Sequence, residues 1–125
     1  MSISNYAELK MLASVFNSAA YVVGTPYVSL HSSDPLEVGG GEITSAGGSY
    51  SRQLGVFASP GSGETHNQSA LVWTNMPALT VSHIGVWDSL SGGNFLWGGS
   101  LNAPKTTNAG DTFQVNASSL SATLD

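Results

Sequence analysis

The chain has 125 residues, enough for one domain, and only 9% of them are Asp, Glu, Lys or Arg, against about 25% in an average soluble domain. Three basic residues against eight acidic ones give a net charge of −5, which argues against a nucleic-acid-binding face of clustered Lys and Arg. Cysteine is absent, so a disulfide framework and a cysteine zinc site are both excluded. So neutral a surface suits protein–protein contact, because few charges lose their water on burial; it also suits a small stable β-protein with a neutral polar exterior.

No basic leader or long apolar segment is visible in the sequence. The first five residues carry no positive charge, and no apolar run approaches the ~20 residues of a membrane helix. We therefore expect a soluble, unprocessed product.

The N-terminal segment, residues 1–20, has the pattern of a short amphipathic helix. Asn5 and Glu8 have the spacing of an N-cap and a carboxylate that reaches back to free backbone N–H groups. We predict a helix from Asn5 to about Asn17, too short to be stable alone. Its apolar side chains must therefore dock, and we expect them to dock on the chain's own sheet, with a neighbouring subunit as the alternative. The stripe consists of Leu9, Leu12, Val15 and Phe16.

The middle of the chain alternates short strand patterns with turns. A strand is predicted at Tyr27–His31, and others at residues 50–57 and 70–73. Between the first two lies a polar, glycine-rich loop, residues 32–48, and a loop of that length in a compact domain is usually functional or mobile.

The last third of the chain contains three or four antiparallel strands. Residues 80–88 alternate, which predicts Ile84 and Val86 on one face and Val81, His83 and Trp87 on the other. A Gly-Gly turn and the apolar residues 95–97 complete a hairpin, and strands follow at 112–115 and 120–125. One helix and about seven short strands predict a mainly β fold, an antiparallel β-sandwich of jelly-roll or Greek-key type forming a single domain over residues 1–125.

Residues capable of catalysis are few and poorly spaced for it. His83 and Asp88 are five apart, hence on opposite faces of a strand, and His31 and Asp34 are best explained as a strand end followed by an Asp-Pro turn. The acidic residues of the 32–48 loop are possible Ca²⁺ ligands, but their spacing matches no EF-hand. We expect no enzyme, metal or cofactor. Five aromatic residues are candidates for either the core or a sugar site: Tyr27, Tyr50, Trp73, Trp87 and Trp97.

Several motifs, in this order and spacing, are similar to those of one known family. They are Tyr27-Val28-Ser29-Leu30-His31-Ser32-Ser33-Asp34-Pro35, Gly41-Glu42-Ile43 with Tyr50-Ser51-Arg52, Val81 to Asp88, Gly92 to Gly98, Thr107 to Thr112, and the final Leu124-Asp125. The chain resembles a family of small virion proteins of tailed bacteriophages, labelled minor tail or tail-fibre proteins and in some cases considered head decoration proteins. The resemblance spans nearly the whole length and implies no catalytic residues.

The resemblance, the small size and the neutral surface imply a non-enzymatic virion protein, made in the host bacterial cytoplasm and located on the head surface or the tail. Our first hypothesis is a capsid decoration (cement) protein that forms a homotrimer and stabilises the assembled head. The alternative is a minor tail or tail-fibre protein that contacts the host surface through the loop of residues 64–66 or Trp97. An enzyme such as a glycan hydrolase ranks third, because no acid and base are suitably paired.

The expected partners are other copies of the chain and the major capsid protein or tail proteins, with no nucleic acid and no membrane. The helix and the 32–48 loop supply the candidate contact residues: Tyr6, Leu9, Leu12, Phe16, Asp34, Leu36, Glu37, Val38, Glu42 and Ile43.

Overall fold

The computed structural model describes residues 2–124, which form nine strands and one helix. In chain order these are β1 Ser2–Ile3, α1 Asn5–Phe16, β2 Tyr27–His31, β3 Gln53–Leu54, β4 Glu64–His66, β5 Leu71–Met76, β6 Leu79–Trp87, β7 Phe95–Thr107, β8 Asp111–Val115 and β9 Ser121–Thr123. The predicted mainly β fold with one helix is confirmed. Within residues 2–124, no helix is both long and apolar enough to cross a membrane.

All strand pairs of the described residues are antiparallel, in one large sheet and two ribbons. The large sheet has the order β1-β7-β6-β2-β3, and the ribbons are β4-β9 and β5-β8. The predicted hairpin at the end of the chain is present as β6 and β7. However, β8 pairs with β5 rather than with β7, and β9 pairs with β4, so the last four strands lie in three different sheets.

The main core lies between the large sheet and the β5-β8 ribbon. Val28 and Leu30 from β2 pack against Trp73 and Met76 from β5, all with almost no exposure. The ring of Phe113 from β8 meets Trp73 edge to face at 5.9 Å, a favourable aromatic geometry. These two layers give the sandwich-like arrangement that the alternating strand patterns predicted.

Strand β6 does not keep a strict alternation. Its pairing with β7 shifts register between Val81 and His83, so Val81 and Ile84 both enter the main core. The predicted faces, with Val81 opposite Ile84, are therefore wrong. The pairing is irregular at this point, because β7 runs five positions from Lys105 to Ser100 while β6 runs two from Val81 to His83.

Helix α1 begins one residue earlier than the Asn5 cap that the sequence predicted. Ser4 is the N-cap, and its hydroxyl accepts the N–H of Ala7 at 3.2 Å while donating to the carbonyl of Phe95 at 2.6 Å. The helix end at Asn17 agrees with the prediction.

Helix α1 packs on the chain's own sheet, as expected, but through Ala7 and not through the predicted apolar stripe. Ala7 is the helix residue buried against the protein, and the apolar stripe points the other way.

Candidate functional site

A polar network at the base of the 32–48 loop holds this loop on the sheet. Arg52 donates through Nε and Nη2 to the two carboxylate oxygens of Glu42, both at 2.9 Å. The hydroxyl of Tyr50 donates to the same carboxylate at 2.8 Å and accepts the N–H of Leu30 at 3.1 Å. A planar guanidinium bound in this two-pronged way fixes the orientation of Glu42 as well as its charge.

Arg52 also connects this loop with the β6-β7 turn. Its Nη1 donates to the carbonyl oxygens of Ser89 and Gly92, each at 2.8 Å, and the guanidinium stacks 3.7 Å from the centre of the Trp87 ring. Trp87 and the backbone of Gly39 lie so close together that a Cβ atom on Gly39 would overlap the ring. One side chain thereby joins three segments that are distant in sequence.

His31 completes the network on the buried side. Its Nδ1 lies 2.8 Å from the carbonyl oxygen of Gly40, and because a carbonyl only accepts, Nδ1 carries the proton. Nε2 then accepts from the Ser29 hydroxyl at 2.7 Å, and Ser29 accepts from Trp87 Nε1 at 2.9 Å. Every polar atom in this series has a partner when His31 is neutral.

The electrostatics of the network follow from burial and pairing. Burial lowers the pKa of His31, although the hydrogen bond to Gly40 opposes this. Burial by itself would raise the pKa of Glu42, but hydrogen bonds from Arg52 and Tyr50 lower it overall. Burial raises the pKa of Tyr50. The network therefore holds one compensated ion pair and one neutral histidine, an arrangement suited to a fixed scaffold.

The tip of the 32–48 loop is exposed and lies beside the helix. Leu36 and Val38 are 71% and 77% exposed, and Glu37 between them accepts the N–H of Asn5 at 2.6 Å. An acidic side chain at a helix start is favourable, because the first N–H groups have no partner within the helix. The loop tip and the beginning of α1 thus form a continuous surface.

The apolar helix face, which we define as Leu9, Leu12, Val15 and Phe16, is the most exposed apolar surface of the helix. These side chains are 68%, 54%, 73% and 76% exposed, respectively. Such a stripe normally faces a core, whereas here it faces away from the rest of the described chain.

An apolar groove lies behind the helix, between the chain's C-terminal end and the large sheet. It has a volume of about 420 Å³, and its apolar lining includes Met11, Val23, Phe57, Leu96, Trp97 and Leu124. Residues 64–66, for which we predicted a loop, instead form β4. Of the proposed host contacts, Glu64, Thr65 and Trp97 line this groove, whereas His66 does not.

The predicted contact residues divide into two sets. Most of them lie on the helix and the loop tip, but Ile43 belongs to the main core and Glu42 is held by Arg52, so these two do not contribute to an exposed contact surface. Asp34 accepts the N–H of Leu36 at 3.0 Å in the expected turn, and Tyr6 is half-buried against Tyr21. Among residues 2–124, no three His, Asp or Glu side chains are grouped as a metal site would require.

The five aromatic candidates are also separated. Trp73 and Trp87 are buried, and Tyr50 is part of the polar network. Tyr27 and Trp97 are half-buried, and Trp97 is the one of the five that lines the groove. No pattern in the sequence indicated the network around Arg52, because Ser89 and Gly92 contribute only backbone carbonyls and Glu42 lies ten positions away.

Residues 2–123 match a model of a family of tailed-phage virion proteins of the tail-fibre type. The model is described as Podophage GP4 fiber I protein gp80, and since the match covers almost the whole chain, the chain belongs to this family. The resemblance to tailed-phage virion proteins is thereby confirmed. A search of curated proteins found no match.

Proposed function

We propose that this chain is a non-enzymatic structural component of a phage tail fibre. The observation that carries the proposal is the family match over residues 2–123, because the family description names a fibre protein. This favours the tail-fibre alternative over our first hypothesis of a capsid decoration protein. Its place is in the virion, on the tail.

The contacts of the polar side chains support a structural role. Glu42, Arg52 and His31 are ionisable groups of the network, and each binds a neighbouring group of the same chain. A general acid or base needs a free position within hydrogen-bond reach of a substrate, whereas the hydrogen bonds of these three side chains go to the chain itself. The exposed apolar helix face instead suits lasting contact with protein, such as tail proteins or other copies of the chain. Nucleic acid and membrane are not among the proposed partners.

The test is where the chain lies in the virion and how many copies are present. Purified particles carrying an epitope tag would be labelled with gold for electron microscopy, and copies would be counted by mass spectrometry against the major capsid protein. We expect label on the tail and a few to a few dozen copies. Label over the head with near parity to the shell subunit would instead establish a decoration protein.

A second measurement addresses catalysis. We expect the purified protein to release no reducing ends from host capsule or cell-wall polysaccharide. Turnover that persists in an Arg52→Ala variant but is lost in a Glu64 variant would place an enzyme in the groove and overturn the non-enzymatic proposal.

A further inference from the structure

The apolar helix face is not covered by residues 2–124, and the loop tip beside it, Leu36 and Val38, is exposed as well. We propose that this surface is a contact between two copies of the chain, in which the apolar helix face of one copy packs antiparallel on the same face of the other. The inference concerns only how two copies meet, so it goes beyond the proposed fibre role and does not depend on it.

The exposed apolar side chains of α1 form a stripe along the helix. At about 100° per residue, Leu9, Leu12 and Phe16 lie within about 60° of each other around the helix axis. Buried Ala7 lies roughly opposite them, and Val15 lies at one edge of the face. The stripe is therefore about two turns long, with Leu12 near its midpoint.

A contact between two identical faces matches in area by symmetry. The four side chains of the helix face and the two of the loop tip are each more than half exposed. At roughly 100 Å² each, they present on the order of 600 Å² of apolar surface. Two such surfaces bury on the order of 1,200 Å² in total, which is the lower end of the range for specific interfaces. The helix face alone falls short of this, so the loop tip takes part in the contact.

Charge decides the relative direction of the two helices. The acidic residues Glu8 and Glu37 both lie at the N-terminal end of α1, whereas its last turn is uncharged. A parallel pair would bring four carboxylates together, and like charges repel. In an antiparallel pair, the length of the 12-residue helix separates them by about 18 Å, which exceeds the Debye length of ~8 Å at physiological ionic strength.

The antiparallel direction also gives the loop tip a partner. Glu37 holds the tip beside the start of α1 through its hydrogen bond with Asn5. The start of one helix lies next to the end of the other, where Phe16 is 76% exposed. Leu36 and Val38 of one copy therefore cover Phe16 of the second copy.

The remaining contacts follow from the two-fold symmetry. Leu9 of one copy lies beside Phe16 of the other, and the two Leu12 side chains lie near the symmetry axis. Such a contact uses the same surface on both copies and closes after two of them. It therefore builds a dimer, in contrast to the homotrimer expected from the sequence.

The first experiment is sedimentation velocity of the full chain over a range of micromolar concentrations. We expect a monomer–dimer equilibrium for the wild type. Leu12→Asp should be monomeric throughout, because the contact would bury two unpaired carboxylates near its axis. Ser14→Asp adds the same charge to an exposed position outside the stripe and should dimerise like the wild type. Circular dichroism checks that each variant is folded, and Phe16→Ser replaces Leu12→Asp if the latter is not.

Disulfide cross-linking identifies the surfaces that meet, and the chain has no cysteine of its own that would interfere. Leu12→Cys should form a covalent dimer on mild oxidation, whereas Ser14→Cys should not, because a disulfide needs Cα atoms within about 7 Å. Leu9→Cys and Phe16→Cys should each remain monomeric under denaturing conditions when oxidised alone. A mixture of these two, one carrying an affinity tag, should form the covalent heterodimer.

Four outcomes would overturn the proposal. A wild type that stays monomeric leaves the helix face to a different protein. A dimer that Leu12→Asp dissociates but Leu12→Cys does not cross-link means that the face meets another surface of the second copy. Efficient cross-linking of Leu9→Cys and of Phe16→Cys alone means that the helices are parallel. A trimer in sedimentation replaces the two-fold pair with a three-fold bundle.

Discussion

The polar network around Arg52 buries polar side chains, whereas helix α1 exposes apolar ones. In the network, charged and polar side chains are largely buried, and each has partners at 2.7–3.1 Å. On the helix, apolar side chains are largely exposed. Buried polar groups are stable when every donor has an acceptor, whereas an exposed apolar face gains stability only when something covers it. The polar network is therefore complete within the chain, whereas the apolar helix face is suited to assembly.

The difference extends to how each region is attached. The network joins the 32–48 loop, the strand after it and the β6-β7 turn through one guanidinium. The helix is held by its cap Ser4, by buried Ala7 and by the Asn5–Glu37 hydrogen bond. We expect local opening to begin at the helix, because it buries little apolar surface.

Removing the central side chain of the network should have the largest effect. Arg52→Ala leaves the Glu42 carboxylate without its partner and frees the carbonyls of Ser89 and Gly92. We expect the free energy of unfolding to fall by about 3 kcal/mol, measured by urea denaturation. Lys10→Ala on the exposed helix is the control and should change it by less than ~0.5 kcal/mol. A loss below ~1 kcal/mol for Arg52→Ala would mean that the pair behaves like an exposed surface ion pair.

The close packing of Gly39 against Trp87 predicts a somewhat smaller effect. Gly39 has φ +75°, and an added methyl group would overlap the indole ring. We expect Gly39→Ala to cost about 2–3 kcal/mol through backbone strain and overpacking together. Gly92→Ala is the matched control, since its φ is +62° but no atom lies within 4 Å of the added carbon; it should cost about 1 kcal/mol. Equal losses of stability in Gly39→Ala and Gly92→Ala would show that overlap with the Trp87 ring contributes nothing to the cost.

Acidification should weaken the network through His31. Its pKa is lowered in the folded state, so the unfolded chain binds the proton more readily. The stability from this group is complete above the ordinary pKa of 6.5 and is lost as pH falls from there toward the lowered value. The charged or titratable groups near it are Glu42, Arg52 and His83. Urea midpoints across this pH range should change less in His31→Gln than in the wild type. If the midpoints of the two proteins fall in parallel as the pH is lowered, protonation of His31 is not the cause of the loss.

The smallest expected change is in the helix region, where a substitution should raise the free energy of unfolding instead of lowering it. The hydroxyl of Tyr21 is buried without a hydrogen-bond partner among the described residues, and its ring lies edge to face with Tyr6 at 6.5 Å. Tyr21→Phe keeps the ring and should raise the free energy of unfolding by up to ~1 kcal/mol. The same change at Tyr50, whose hydroxyl has two partners, should instead lower it by about 1–2 kcal/mol. A loss at Tyr21 similar to that at Tyr50 would mean that its hydroxyl is satisfied in solution.

Local spacing in the sequence predicted the helix to within one residue at its start, the β6-β7 hairpin and the mainly β class. It also identified the apolar stripe of α1, but not that this stripe is exposed. The reason is that a period of three to four residues shows which side chains share a face, while the neighbour of that face depends on where the rest of the chain lies. The prediction for β6 was wrong for a related reason, since a bulge forms between two paired strands and has no signature in one of them.

What the sequence by itself determined is the family, the sparse charge and the order of the elements, because these depend on residues close together in the chain. The tertiary structure alone decided the roles of Arg52 and the groove. Arg52 binds carbonyls 37 and 40 positions away, and the groove collects side chains from Met11 to Leu124. The tertiary structure also buries Ile43 in the core but leaves Leu36, seven positions earlier in the chain, exposed. Burial is a property of packing between distant segments, and no pattern within one segment specifies it.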